Sequence, residues 1–403
     1  MSTPHPRTRP EQPAPLSRRG PRPLLLHLNL AWMRSSASIT GSPNWNNVWP
    51  ASSETNPPPP DPEALAALFA TVSQQDRDLI AGIAAYRASP YTRTMADPPA
   101  IWEESETRLL DYGGTGPSVL FVPSLINRAY ILDLMPEASM LRWLSQHGSH
   151  PYLLDWGWPA EIERHFTLTD YIAGRLERAI AAIPGPIILA GYCMGGLLAL
   201  AAAVRQVASG TPEKITALAL LATPWDFHAD NPAQAKTLGR SLTMLEPMMG
   251  FSGTLPIDAL QTIFTMIDPF GVGEKYRSFA SLDKTTARAK RFVAMEDWLA
   301  DGVPLAAPVA RETLGGWYGE NTPARLTWRV AGMPITPASI SVPCFVAAPA
   351  RDKLVPPVSV RPLAAALPLC TYLEPGAGHI GMIAGTNAQN ALWQPFADWL
   401  QQL

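Results

Sequence analysis

The chain has 403 residues, of which 47% are hydrophobic and 16% charged, with a formal net charge of −3. That length is ample for a buried core, and so mild an acidic balance gives no basis for a nucleic-acid or polyanion partner. No apolar run approaches the ~20 residues that span a bilayer, and Cys193, Cys344 and Cys370 are too few and too scattered for a disulfide framework or a zinc site. A soluble, cytoplasmic protein with free thiols and no metal or separate cofactor is expected.

Prolines number 43, and their density near the start reads residues 1–60 as a disordered, proline-rich segment. Within it LLLHLNLAWM follows Arg18 and Arg19 as the apolar part of an export signal does, but Pro21 and Pro23 break the junction, and His27 and Asn29 interrupt the run. Translation from Met33 is an alternative that leaves residues 1–32 without a role. Residues 61–104 read as a helical extension, because DPEALAALFATVSQQDRDLIAGIAAYRAS carries apolar residues at helical spacing. Asp61 is its candidate cap, and Pro62 sits in its first turn.

From residue 105 strands and helices alternate. TRLLDY and PSVLFVPSL flank a glycine-rich turn, ILDLMPEASMLRWLSQHG contains a helix, and PYLLDW is a short strand. TLTDYIAGRLERAIAAI is a helix with Thr167 or Thr169 as candidate cap, GPIILAG a strand, LLALAAAVRQVA a helix and ITALALLAT a strand. Apolar strands in this rhythm describe βαβ units with right-handed crossovers, a doubly wound, mostly parallel sheet. Residues 225–340 break the rhythm with Met-, Phe-, Trp- and Pro-rich helical pieces and read as a mostly helical lid inserted between two parts of the core, 105–224 and 341–403. SVPCFVAAPA, VSVRPLAAAL, CTYLEPG and a terminal helix in NALWQPFADWLQQL complete the second part.

The segment PIILAGYCMGGLLALAAA places Cys193 between glycines where a buried strand meets a helix. Gly-x-nucleophile-x-Gly at such a junction is a nucleophile elbow. The turn is so sharp that β-carbons at Gly191 and Gly195 would collide with strand or helix, while Gly196 lets the helix approach the sheet. Cys193 then stands at a helix N-terminus, where unpaired N–H groups favour a thiolate. The Met194 N–H faces an oxyanion formed above the sulfur, and the second donor is expected from PSLINR, at Leu125 or Ile126.

An elbow predicts the order nucleophile, acid, histidine, each after a strand. Asp352 follows the strand in SVPCFVAAPARDKLVPP, and His379 follows the next strand in TYLEPGAGHIGM. His379 is the only histidine after His228, and Asp226 in LATPWDFHAD is the rival for the acid. His5, His27, His147, His150, His165 and His228 lack such a setting and read as surface or packing residues. Cys193, His379 and Asp352 together point to acyl transfer through a cysteine. Sulfur suits an acyl group that arrives on sulfur, and an apolar lid favours an alcohol over water as the acceptor.

These motifs resemble the polyhydroxyalkanoate synthases. GYCMGG is similar to their cysteine-containing lipase-like box, and FVPSLINRAYILDLMPEASMLRWLSQHGSHPYLLDWGWP to their stretch from the oxyanion strand to Asp-Trp-Gly. LATPWDFH, FVAMEDWLADG, RDKLVPP and GAGHIGM follow in matching order, and the GHIG ending is similar to the short, class III type. The resemblance covers roughly residues 105 to 403. It implies an α/β-hydrolase fold in which Cys193 takes the acyl group of an (R)-3-hydroxyacyl-CoA and releases CoA. The 3-hydroxyl of the next unit, deprotonated with help from Asp352 or His379, then extends a growing polyester chain. It also implies a homodimer, a second synthase subunit and work on polyester granules. The alternatives are a thioesterase, esterase or polyester hydrolase on the same fold, and a non-catalytic granule-associated protein that keeps the elbow as scaffold.

Overall fold

The computed structural model describes residues 18–40, 62–209 and 214–403, which fall into two compact units. One holds the described residues up to Pro90 together with Phe270–Lys284, and the other holds Tyr91–Pro269 and Thr285–Leu403.

The first unit is helical. Its helices are α1 (Leu24–Thr40), α2 (Pro62–Arg87) and α3 (Gly271–Ser281). Gly82 makes the close approach of α2 to α3 possible, since a β-carbon there would lie 2.0 Å from the Tyr276 carbonyl oxygen. Tyr86 meets Tyr276 edge to face at 5.8 Å, Ser35 donates to Asp76 at 2.8 Å, and Arg277 donates to the Gln75 carbonyl at 3.0 Å.

Two expectations are corrected here. The proline-rich start is not uniformly without structure, because LLLHLNLAWMRSSASIT forms α1; no proline follows Pro23 until Pro43, so nothing interrupts the helix. The stretch 225–340 is not one lid, because α3 belongs with α1 and α2. The expectations for 1–17 and 41–61 lie outside the described residues. Among the described residues no helix is long and apolar enough to cross a membrane.

The second unit is built on one eight-stranded sheet. Its strands are β1 (Ala100–Glu104), β2 (Thr107–Asp111), β3 (Ser118–Val122), β4 (His150–Asp155), β5 (Ile187–Tyr192), β6 (Ile215–Leu221), β7 (Cys344–Ala347) and β8 (Cys370–Leu373). They lie in the order β1-β2-β4-β3-β5-β6-β7-β8. β2 runs antiparallel to both β1 and β4, and every later pairing is parallel. The sheet therefore begins inside the segment read as a helical extension. AIWEE alternates only weakly and stays partly exposed at the edge, so its strand character was not evident.

Side chains of the central strands alternate between two cores. Leu120, Val122, Leu189, Leu218 and Leu220 face one, and Val119, Phe121, Ile188, Ala190, Ala217 and Ala219 face the other. The helix expected from Thr167 opens with Thr167 as its cap, whose hydroxyl accepts from Asp170 N–H at 3.2 Å while Asp170 accepts from Thr167 N–H at 2.8 Å. Residues Asp170–Leu176 are π-helical and Glu177–Ala182 α-helical.

This helix holds a buried cation near the sheet edge. Arg175, 2% exposed, donates to Glu163 at 2.9 Å, to the Glu104 carbonyl at 2.8 Å and to the Thr107 hydroxyl at 2.8 Å, and lies over the Phe166 ring. Glu163 is 1% exposed. Removing one member of such a pair strands the other charge out of water. Glu163→Ala should therefore lower the unfolding free energy by about 3–5 kcal/mol in urea titrations; a loss below about 1 kcal/mol, the worth of an exposed pair, would contradict this assignment.

Candidate active site

β5 ends at Tyr192, and the elbow helix Met194–Ala208 starts two residues later, so the whole reversal falls on Cys193. Its backbone sits at φ 56°, ψ −127°, a conformation costly for a residue with a β-carbon. The surroundings hold it there. Cys193 N–H donates to the Leu221 carbonyl at 2.8 Å, and Gly196 N–H donates to the Cys193 carbonyl at 2.9 Å. A β-carbon on Gly191 would lie 2.4 Å from Gly196 Cα, and one on Gly195 would lie 2.1 Å from the Val122 carbonyl oxygen. Gly196 answers to a neighbour the sequence did not reveal, since its β-carbon would meet the Thr223 hydroxyl at 1.8 Å.

The acid and the histidine arrive from β7 and β8. Asp352 lies in the loop after β7, buried, with Oδ1 accepting from the N–H groups of Leu354 and Val355, both at 2.9 Å. Its other oxygen, Oδ2, accepts from His379 Nδ1 at 2.6 Å. That bond leaves the ring's other nitrogen, Nε2, to act toward Cys193, whose charge bears on the imidazole. Burial by itself would push the imidazole pKa down. The charges and hydrogen bonds of Cys193 and Asp352 outweigh it and carry the ring up to about 10. Tyr192 packs its ring 5.2 Å from the imidazole and donates its hydroxyl to the His379 carbonyl at 3.2 Å, fixing the loop.

Asp226 is not on this histidine. Its Oδ1 accepts from Asn321 Nδ2 at 2.8 Å and from His228 N–H at 2.9 Å, tying the loop after β6 to the returning lid. His228 Nε2 donates to the Tyr318 carbonyl at 2.8 Å. His147 stacks on Trp143, His150 pairs with Asp111 at 2.6 Å, His165 is exposed and His27 contacts the Arg22 carbonyl, while His5 lies outside the described residues. Cys344 and Cys370 sit opposite one another on β7 and β8, where burial pushes their thiols up to about 12 and about 11. Among the described residues no cluster of three His, Cys, Asp or Glu is placed to hold a metal ion.

The two candidates for the second oxyanion donor differ. Ile126 N–H is taken by the Ser124 hydroxyl at 3.2 Å, whereas among the described residues Leu125 N–H has no acceptor. Met194 opens its helix, so its N–H has no partner within that helix. The loop carrying Leu125 is held from two sides. Trp156 donates its indole N–H to the Pro123 carbonyl at 3.0 Å, and Val303 of the lid donates to the Ile126 carbonyl at 2.8 Å. Trp156 is therefore a support residue that the strand reading of PYLLDW did not single out; the sole signal was an indole N–H in a buried run, which needs an acceptor.

A model of the alpha/beta hydrolase family matches residues 119–389. The poly(3-hydroxyalkanoate) polymerase subunit PhaC of Synechocystis sp. is 30% identical over 297 residues, 70% of this chain and 77% of that protein. The chain belongs to the poly(3-hydroxyalkanoate) polymerase family. The subunit PhaC of Allochromatium vinosum is 28% identical over 294 residues, covering 70% of this chain and 80% of that one. That of Haloferax mediterranei is 27% identical over 316 residues, and the match spans 75% of this chain but 63% of the relative's length. Family membership and the eight-stranded order agree with the fold expected from the sequence, an α/β-hydrolase sheet with an inserted lid.

The raised imidazole makes stability depend on pH. Its pKa falls to about 6.5 when the chain unfolds, so its charge contributes fully below that value and the contribution is lost as pH rises through about 10. The stability margin of wild type over His379→Gln should accordingly shrink across this window in urea titrations. A margin that stays constant or grows would contradict the coupling.

Proposed function

We propose that the chain is an acyltransferase that polymerises (R)-3-hydroxyacyl-CoA through an acyl-enzyme on Cys193. The observation that carries this reading is the 2.6 Å bond from His379 Nδ1 to Asp352 Oδ2, with Cys193 at the head of the elbow helix, in a chain of this family. In the first step the Cys193 sulfur, its proton already held on the charged His379 ring, attacks the thioester carbonyl. Met194 and Leu125 N–H donate to the resulting oxyanion, Ile126 being occupied. The bond from carbon to the CoA sulfur then breaks, and CoA leaves with the proton from His379.

In the second step the 3-hydroxyl of the next unit attacks the acyl-enzyme, an ester bond forms and the Cys193 sulfur departs. The proton of that hydroxyl goes to His379. Both Asp352 oxygens are already engaged, one by two backbone N–H groups and the other by the imidazole, which favours Asp352 as the group that orients and charges the ring. Hydrolysis by the same acyl-enzyme is disfavoured by an apolar lid, in which Trp317 packs against Phe227 and Trp328. The names of the relatives, polymerase subunits, support an assembly of more than one chain.

The test is incubation with 3-hydroxybutyryl-CoA, following CoA release and separating polymer from free acid. Polymer should form, Cys193→Ala should abolish CoA release, and Cys344→Ala and Cys370→Ala should leave it within about twofold, their thiols being held protonated by burial. Free acid without polymer would favour the thioesterase, and equal loss in all three variants would move the nucleophile elsewhere.

A further inference from the structure

The helix α1 is built with its polar side inward. Spaced four residues apart, His27, Ala31 and Ser35 form one stripe, and all three are buried. Ser35 is held there by its bond to Asp76 of α2, and His27 by contact with the Arg22 carbonyl at 3.2 Å. The outer side carries Leu25, with Trp32 and Met33 seven and eight residues on, a spacing that brings them to one face. They are 74%, 70% and 59% exposed, and Asn29 and Ser36 lie among them. Water as the neighbour would select the reverse arrangement, with the apolar side chains inward and the histidine and serine outward. No step of the chemistry at Cys193 uses this face.

Charge narrows the choice of neighbour. Among the described residues of this unit, Lys and Arg number nine against five Asp and Glu, whereas the whole chain carries 31 against 34. Arg19, Arg77, Arg87 and Lys284 of the unit are exposed. A bilayer that contains anionic lipid answers both features, with phosphates for the cations and an acyl boundary for the apolar side chains. A neutral apolar surface answers only the second. The helix has 17 residues, about 25 Å at the usual rise, and among the described residues no helix is long and apolar enough to cross a membrane. Such a helix suits lying in the interface, where an indole ring sits at headgroup level.

We propose that α1 docks the protein on anionic phospholipid membranes, with Leu25, Trp32 and Met33 entering the headgroup boundary and the cations of the same unit meeting the phosphates. The proposal is independent of the acyltransferase chemistry, and either can fail without the other.

The experiment is sedimentation of the full-length protein with vesicles of phosphatidylglycerol and phosphatidylcholine in equal parts. Vesicles of phosphatidylcholine alone and particles of poly(3-hydroxybutyrate) are the comparisons. Wild type should pellet with the mixed vesicles and far less with the other two, and rising salt should release it. Leu25→Ser/Trp32→Ser should weaken binding at least about tenfold, while its melt and its elution volume stay those of wild type, because both side chains are exposed. Arg19→Glu, which leaves the apolar face intact, should weaken binding about fivefold or more. No pelleting with the mixed vesicles, equal pelleting with either comparison, or undiminished binding by the double variant would overturn the proposal. So would an earlier melt of the double variant, which places the face against the chain itself, or its elution as a smaller species, which places a second copy there.

Discussion

The backbone at Cys193, φ 56° and ψ −127°, is a conformation that a residue with a β-carbon keeps only under compulsion. Three glycines remove the atoms that would oppose it, and two main-chain hydrogen bonds, to Leu221 and from Gly196, hold it in place. Everything chemical at this end of the sheet follows from that compulsion. The side chain is thrust clear of strand and helix, the first N–H groups of the helix are turned toward it, and the loops after β3, β6, β7 and β8 are left to close around it.

Each of those loops is tied to something stiff. The Trp156 indole and the Val303 N–H hold the segment after β3, Asn321 and His228 hold the one after β6, and two backbone N–H groups hold the Asp352 carboxylate. The imidazole thus sits between two groups that favour its charged form strongly enough to overcome burial. Rigidity here is chemically useful, since the cost of orienting these groups is met in folding rather than at each turnover.

Much of this was legible in the sequence because it is local or ordered along the chain. The glycines around Cys193, the apolar strands before Asp352 and His379, and the alternation of strand and helix each span only a few residues. What escaped depends on contacts between distant segments. Gly196 could be recognised as small, but that Thr223 is the residue demanding it could not. Leu125 and Ile126 differ through a local turn instead, since the Ser124 hydroxyl two residues back occupies the Ile126 N–H. The helix Gly271–Ser281 carries no sign that it pairs with Pro62–Arg87 rather than staying with the lid, because contacts between distant residues, such as Gly82 with Tyr276, record it.

A reactive sulfur at residue 193 is the claim on which the mechanistic account stands, and covalent trapping tests it most directly. The protein is mixed briefly with 3-hydroxybutyryl-CoA, quenched in acid, digested and read by mass spectrometry. The account predicts a 3-hydroxybutyryl group, or short oligomers of it, on the peptide that contains Cys193. Acyl mass on the peptides of Cys344 or Cys370 instead, or CoA release with no acylated peptide at all, would contradict it.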